Sequence, residues 1–84
     1  MVISAQLSVY PLGEENVSAY ISSFCSTLAR EGVHPTVGPM STLVTGDADQ
    51  VFRALQTAFE QVAGSAHVVL TATISNACPV VPPS

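Results

Sequence analysis

The stretch that decides the fold is Val2-Ile3-Ser4-Ala5-Gln6-Leu7-Ser8-Val9-Tyr10. In an extended strand successive side chains point to opposite sides. Ile3, Ala5, Leu7 and Val9 therefore share one face, while Ser4, Gln6, Ser8 and Tyr10 share the other. The first set is a core face. The second carries no charge, yet it is rich in groups that both donate and accept hydrogen bonds. A merely solvated face would hold Lys, Glu or Arg. This one suits a neutral heterocycle or another protein sheet.

Outward from this strand the periodicity changes. Across Asn16 to Glu31, Val17, Tyr20, Ile21, Phe24, Cys25 and Leu28 recur at three- and four-residue steps, which predicts a helix. Asn16 is placed to cap it and Gly32 to end it. A second helix is expected from about Ala48 to Ala63, with Val51, Phe52, Leu55, Ala58, Phe59 and Val62 as its buried stripe. Asp47 followed by Gln50 makes a capping-box-like start, and Gly64 ends this helix. Between the helices lie two short extended runs, Val33–Val37 and Thr42–Thr45, joined by Gly38-Pro39-Met40-Ser41. Gly and Pro mark a turn there. In Thr42–Thr45 either Thr42 and Val44 or Leu43 and Thr45 could face the helices. After the second helix, Ala66–Ser75 alternates again: Val68, Leu70, Ala72 and Ile74 on one face, and His67, Val69, Thr71, Thr73 and Ser75 on the other.

The order is β-α-β-β-α-β, the ferredoxin-like arrangement of the α+β class. Right-handed crossovers then put both helices on one face of a four-stranded antiparallel sheet, with the first and third strands central. The helices should cover Ile3, Ala5, Leu7, Val9 and the matching residues of the fourth strand. On the open face Gln6, Ser8 and Tyr10 should lie beside Thr71 and Thr73. Residues 1–76 are expected to form this single domain. The Pro-rich residues 77–84 are expected to form a mobile tail.

Composition narrows the function. The chain has 84 residues, 48% of them hydrophobic and 10% charged, against roughly 25% charged in a typical soluble domain. It has no Lys; Arg30 and Arg53 stand against six acidic residues. So small a chain exposes much of its surface and has little charge to cover it, which points to burial between subunits. The acidic balance argues against nucleic acid. No apolar run approaches the roughly 18 residues that span a bilayer. No secretory signal is visible, and Cys25 and Cys78 lie outside any C-x-x-C, so a cytoplasmic protein with two free thiols is expected. Cys25 reads as a small buried hydrophobe.

Several activities hosted by this fold fail on the residues. Phosphate chemistry at the first turn would meet Glu14 and Glu15. RNA recognition needs stacking aromatics on the central strands and basic surroundings, and only Tyr10 is present. A metal chaperone needs paired cysteines after the first strand. His34 and His67 have no ligand-spaced partners and read as structural strand-end residues, and Asp47 and Asp49 read as helix-start residues. No nucleophile–base pair stands out, so neither catalysis nor a metal is expected.

Three motifs then carry a resemblance. Ser8-Val9-Tyr10-Pro11-Leu12-Gly13, the hairpin Gly38-Pro39-Met40-Ser41-Thr42, and Gly46-Asp47 leading into the second helix resemble the thiamine-binding (YkoF-like) family of small proteins. The similarity runs over about Met1–Ile74. The chain departs from the family pattern at Thr45, where an acidic residue is usual, and at Ser75-Asn76-Ala77-Cys78, where charged residues are usual. The resemblance implies a ferredoxin-like fold assembling through its sheets into dimers or tetramers. It also implies non-catalytic binding of thiamine or its hydroxymethylpyrimidine moiety as ligand, with no cofactor. An aminopyrimidine offers an exocyclic amine and ring-nitrogen acceptors, and so wants neutral polar partners and an aromatic or apolar wall. Gln6, Ser8, Tyr10, Thr71 and Thr73 can supply these, and Ser41 and Thr42 of the hairpin join them as candidate ligand contacts. The alternative for the same face is a sheet–sheet interface in a structural or regulatory oligomerisation module without a small ligand.

Overall fold

The computed structural model describes residues 1–13, 15–38 and 41–77. Its elements are β1 (Val2–Pro11), α1 (Val17–Arg30), β2 (Thr36–Val37), β3 (Thr42–Asp47), α2 (Ala48–Ala63) and β4 (Val68–Ser75). The strands form one antiparallel sheet in the order β2-β3-β1-β4, with both helices on one side. This is the ferredoxin-like α+β fold. Residues 78–84, most of the expected tail, lie outside the described residues.

The first strand divides as its alternation requires. Ile3, Ala5, Leu7 and Val9 are all at most 8% exposed and pack with Phe24 and Leu28 of α1 and with Val51, Leu55 and Val62 of α2. β3 resolves its parity the same way: Thr42 and Val44 are buried beneath the helices, so Leu43 and Thr45 join the open face.

Helix ends follow local chemistry. The Asn16 side chain accepts from the Ala19 amide at 3.2 Å, capping α1. At the other end Gly32 takes a left-handed φ of 87°. Its amide donates to the Ala29 carbonyl and the Val33 amide to the Leu28 carbonyl, both at 3.1 Å. That is the Schellman pattern. A Cβ on Gly32 would also collide with the Gln50 side chain, whose amide donates to the Glu31 carbonyl at 3.3 Å. At α2 the capping-box expectation fails. The Asp47 side chain makes no cap hydrogen bond and instead meets the ammonium of Met1 at 3.3 Å. Both partners are exposed, so the pair adds little.

Three further expectations need correction. β2 is two residues long rather than five, because Pro35 just before it has no amide for a ladder. Phe52 and Phe59, assigned to the buried stripe of α2, are 53% and 36% exposed, and Ala54 takes a place in that stripe. Helical periodicity shows an apolar arc but not where the sheet beneath it stops. Correspondingly the helices cover only the first half of β4: Val68 and Leu70 are partly buried, whereas Ala72 and Ile74 are exposed. No described helix is long and apolar enough to cross a membrane.

Candidate functional site

The open face is an uncharged ladder. Ser4 sits between Thr45 and Ser75, and Gln6 between Leu43 and Thr73; Ser8 lies beside Thr71, and Tyr10 beside Val69. The sequence-derived neighbourhood of Gln6, Ser8, Thr71 and Thr73 is therefore present. The Ser4 hydroxyl is closed off from solvent and has no hydrogen-bond partner among the described residues.

A second feature arises from a mismatch in strand length. On one side β1 pairs with β4 as far as Pro11 with Val68, but on the other its register with β3 stops at Leu7 with Thr42. Beyond Leu7 no strand among the described residues flanks that side of β1. The start of α1 and the β2–β3 hairpin stand there instead, enclosing a notch of about 210 Å³. Leu7 to Tyr10 form its floor, Val17 and Ile21 its helical wall, and Val37, Gly38, Ser41 and Thr42 its lip. The Gly38 amide donates to the Ser41 carbonyl at 2.8 Å, which closes the hairpin, and Gln6 Nε2 donates to Ser41 Oγ at 3.2 Å from the rim.

Four of the seven candidate contacts, Ser8, Tyr10, Ser41 and Thr42, thus meet in one notch, and Gln6 reaches its edge. Thr71 and Thr73 do not line it. They lie across β1, on the β4 side. Thr42 is buried, with its hydroxyl 3.9 Å from the Cys25 thiol. Cys25 itself is only half buried. It lines a more open groove of about 510 Å³ along α1, beside Ser18, Ser22, Ser26 and Ala29. Ile21 and Val37 line both cavities, so the two adjoin. Among the described residues, no charged side chain lines either one.

Val17 and Val37 line the notch without any motif to mark them. Periodicity puts Val17 in the core stripe of the helix, yet it is 37% exposed at the mouth of the notch. The available signal was position: both valines end elements at the same end of the sheet as Tyr10. His34 and His67 are exposed, and His67 acts through its backbone, its carbonyl accepting from the Leu12 amide at 2.7 Å.

Comparison with known proteins bears on the fold and the family. A protein from Streptococcus pneumoniae superimposes with a TM-score of 0.82 at 28% identity, over 95% of this chain and 90% of its own. A hypothetical protein from Methanocaldococcus jannascii gives 0.81 at 25% identity, over 89% of this chain and 79% of its own. A candidate thiamine biosynthesis/salvage protein from Thermotoga maritima gives 0.78 at 20% identity, over 88% and 82%, and shares the fold. No curated protein matches the chain. The model of the thiamine-binding protein family matches residues 5–77, and the chain belongs to that family.

Proposed function

We propose that the chain binds thiamine, or its hydroxymethylpyrimidine moiety, without catalysis and as a homo-oligomer, serving as a carrier, buffer or sensor. The observation that carries this reading is the notch at the end of β1: small, uncharged, walled by Val17, Ile21 and Val37, and lined also by the hydroxyl-bearing residues Ser8, Ser41 and Thr42. Its volume of about 210 Å³ suits a single heterocycle. The aminopyrimidine ring occupies it, meeting those hydroxyls and the ring of Tyr10. The adjoining groove along α1 takes the second ring of thiamine, whose positive charge is tolerated by a chain of net charge −4.

A few hydrogen bonds of about 0.5–1.5 kcal/mol each, with stacking, give modest affinity. A dissociation constant in the micromolar range is expected. Phosphate groups on the ligand gain nothing, because neither Arg30 nor Arg53 lines the notch or the groove. Self-association through the open face accompanies binding, since its Ser, Thr and Gln side chains carry no charge to repel a second sheet.

Calorimetric titration with thiamine, hydroxymethylpyrimidine and thiamine phosphates tests this reading. Heat and thermal stabilisation with the first two are expected. No signal with any of them up to about a millimolar sinks it and leaves the oligomerisation module without a ligand.

A further inference from the structure

Helix α1 serves two surfaces. Val17 and Ile21, four residues apart, wall the notch. Ala19 and Ser23 lie two residues further along, which at about 100° per residue turns them to the opposite flank, toward α2. There a second cavity of about 210 Å³ opens between the helices, lined by Ala19, Tyr20, Ser23, Gln61, Val62 and Ser65. It shares no residue with the notch or with the groove beside it.

The floor of this cavity is apolar and held by the core: Val62 is 1% exposed, and the half-buried Tyr20 packs against the same cluster. Its rim is polar and uncommitted. Elsewhere on the two helices such side chains bond within the protein. Thr27 and Thr57 donate to carbonyls one turn back, Gln50 to the Glu31 carbonyl and Gln56 to the Glu60 carboxylate. At the cavity, the Ser65 hydroxyl does the same toward the Val62 carbonyl. The side chains of Tyr20, Ser23 and Gln61 make no hydrogen bond to any described residue. Three unengaged polar groups therefore converge on one apolar floor.

Their chemistry selects the ligand class. No charged side chain among the described residues lines the cavity, so an ion would lose water there without gaining a counter-charge. Gln61 presents a donor and an acceptor side by side, and the hydroxyls of Ser23 and Tyr20 can each do both. Tyr20 adds a ring face. We propose that this cavity is a second small-molecule site, for an uncharged planar ring that carries an amide edge, a carboxamide or a lactam. The amide edge pairs with the Gln61 side chain through two hydrogen bonds. A hydroxyl of Ser23 or Tyr20 supplies a third, and the ring lies over Tyr20 and Val62. The volume of about 210 Å³ admits one ring with its substituent. This site is independent of the thiamine reading of the notch and of self-association.

The test uses the full chain, isotopically labelled, with benzamide as the probe and benzoate and benzylammonium as its charged counterparts. Benzamide should shift the amide resonances of Ala19, Ser23, Gln61 and Ser65 saturably, with a dissociation constant of about a millimolar. Those of Ser8, Gly38 and Thr42 in the notch should stay in place. Uracil, a lactam, should give the same pattern. The two charged counterparts should bind about tenfold more weakly or not at all. Gln61 is exposed, so Gln61→Leu should leave the thermal midpoint unchanged, yet it should weaken benzamide about tenfold. No saturable shift up to about 20 mM overturns the proposal. Equal binding of benzoate, or undiminished binding by the Gln61→Leu variant, does so too. If the shifts instead fall on Ser8, Gly38 and Thr42, the probe enters the notch, and this proposal falls while the thiamine reading stands.

Discussion

The two faces of β1 share one backbone and do opposite things. On the inner face, Ile3, Ala5, Leu7 and Val9 are sealed under both helices. On the outer face Ser4 and Ser8 are half covered and Gln6 and Tyr10 exposed, with only neutral side chains opposite them on β3 and β4. The inner face stabilises the fold through apolar area removed from water. The outer face contributes little to stability and leaves uncharged donors and acceptors open to a partner. The notch forms where the two meet, because β1 outlasts β3 and both faces turn a corner around its unflanked end.

The largest effect is expected from breaking the inner face. Leu7 is 1% exposed and lies at the last register position shared with β3. Leu7→Ala should cost about 2–5 kcal/mol, the transfer loss plus the cavity left behind. In a domain this small that is a large share of total stability. Urea denaturation should show a much lower midpoint with an unchanged slope. A loss below about half a kilocalorie would mean that the site collapses freely and that the inner face is not a tightly packed layer.

How much of this could be read from residues alone depends on whether the cause was local. The split of β1 was legible because alternation reports two environments directly. The Asn16 cap and the Gly32 stop were legible because side-chain and backbone chemistry within a few residues decides them. Phe52 and Phe59 were misassigned because their exposure depends on how far the sheet reaches beneath α2, a property of another element. The parity of β3 stayed open for the same kind of reason: Thr42 and Thr45 are equally at home on either face, and only pairing with Leu7 and Ser4 decides between them. Of the site, the hydroxyls and Tyr10 were legible as chemistry. The notch was not, because it exists only where the β3 register ends.

Thr42 sharpens the comparison, since it is a polar residue on the inner face. It is 7% exposed, its hydroxyl faces the Cys25 thiol at 3.9 Å, and it lines the notch. A buried hydroxyl with so weak a contact is costly in a pure core. Thr42→Val should therefore leave stability unchanged or raise it by up to about 1 kcal/mol. Ligand affinity should fall by about three- to tenfold, the equivalent of one lost hydrogen bond. Thermal melts and calorimetry on the same preparation read both quantities. A clear loss of stability with unchanged affinity would make Thr42 a packing residue.

The smallest effect separates the notch from the rest of the open face. Gln6 and Thr71 both lie on that face, but only Gln6 touches the lip, through its 3.2 Å hydrogen bond to Ser41. That bond is exposed, so Gln6→Leu should change stability by less than about 0.5 kcal/mol. It should still weaken ligand binding about two- to threefold, by releasing the hydroxyl of Ser41 from its position on the lip. Thr71→Val, across β1 on the β4 side, should leave affinity within error, because Thr71 lines neither the notch nor the groove. Parallel titrations of the two variants decide between the surfaces. If Thr71→Val is the more damaging substitution, the ligand lies on the sheet between β1 and β4, and the notch is only the gap left where β3 begins.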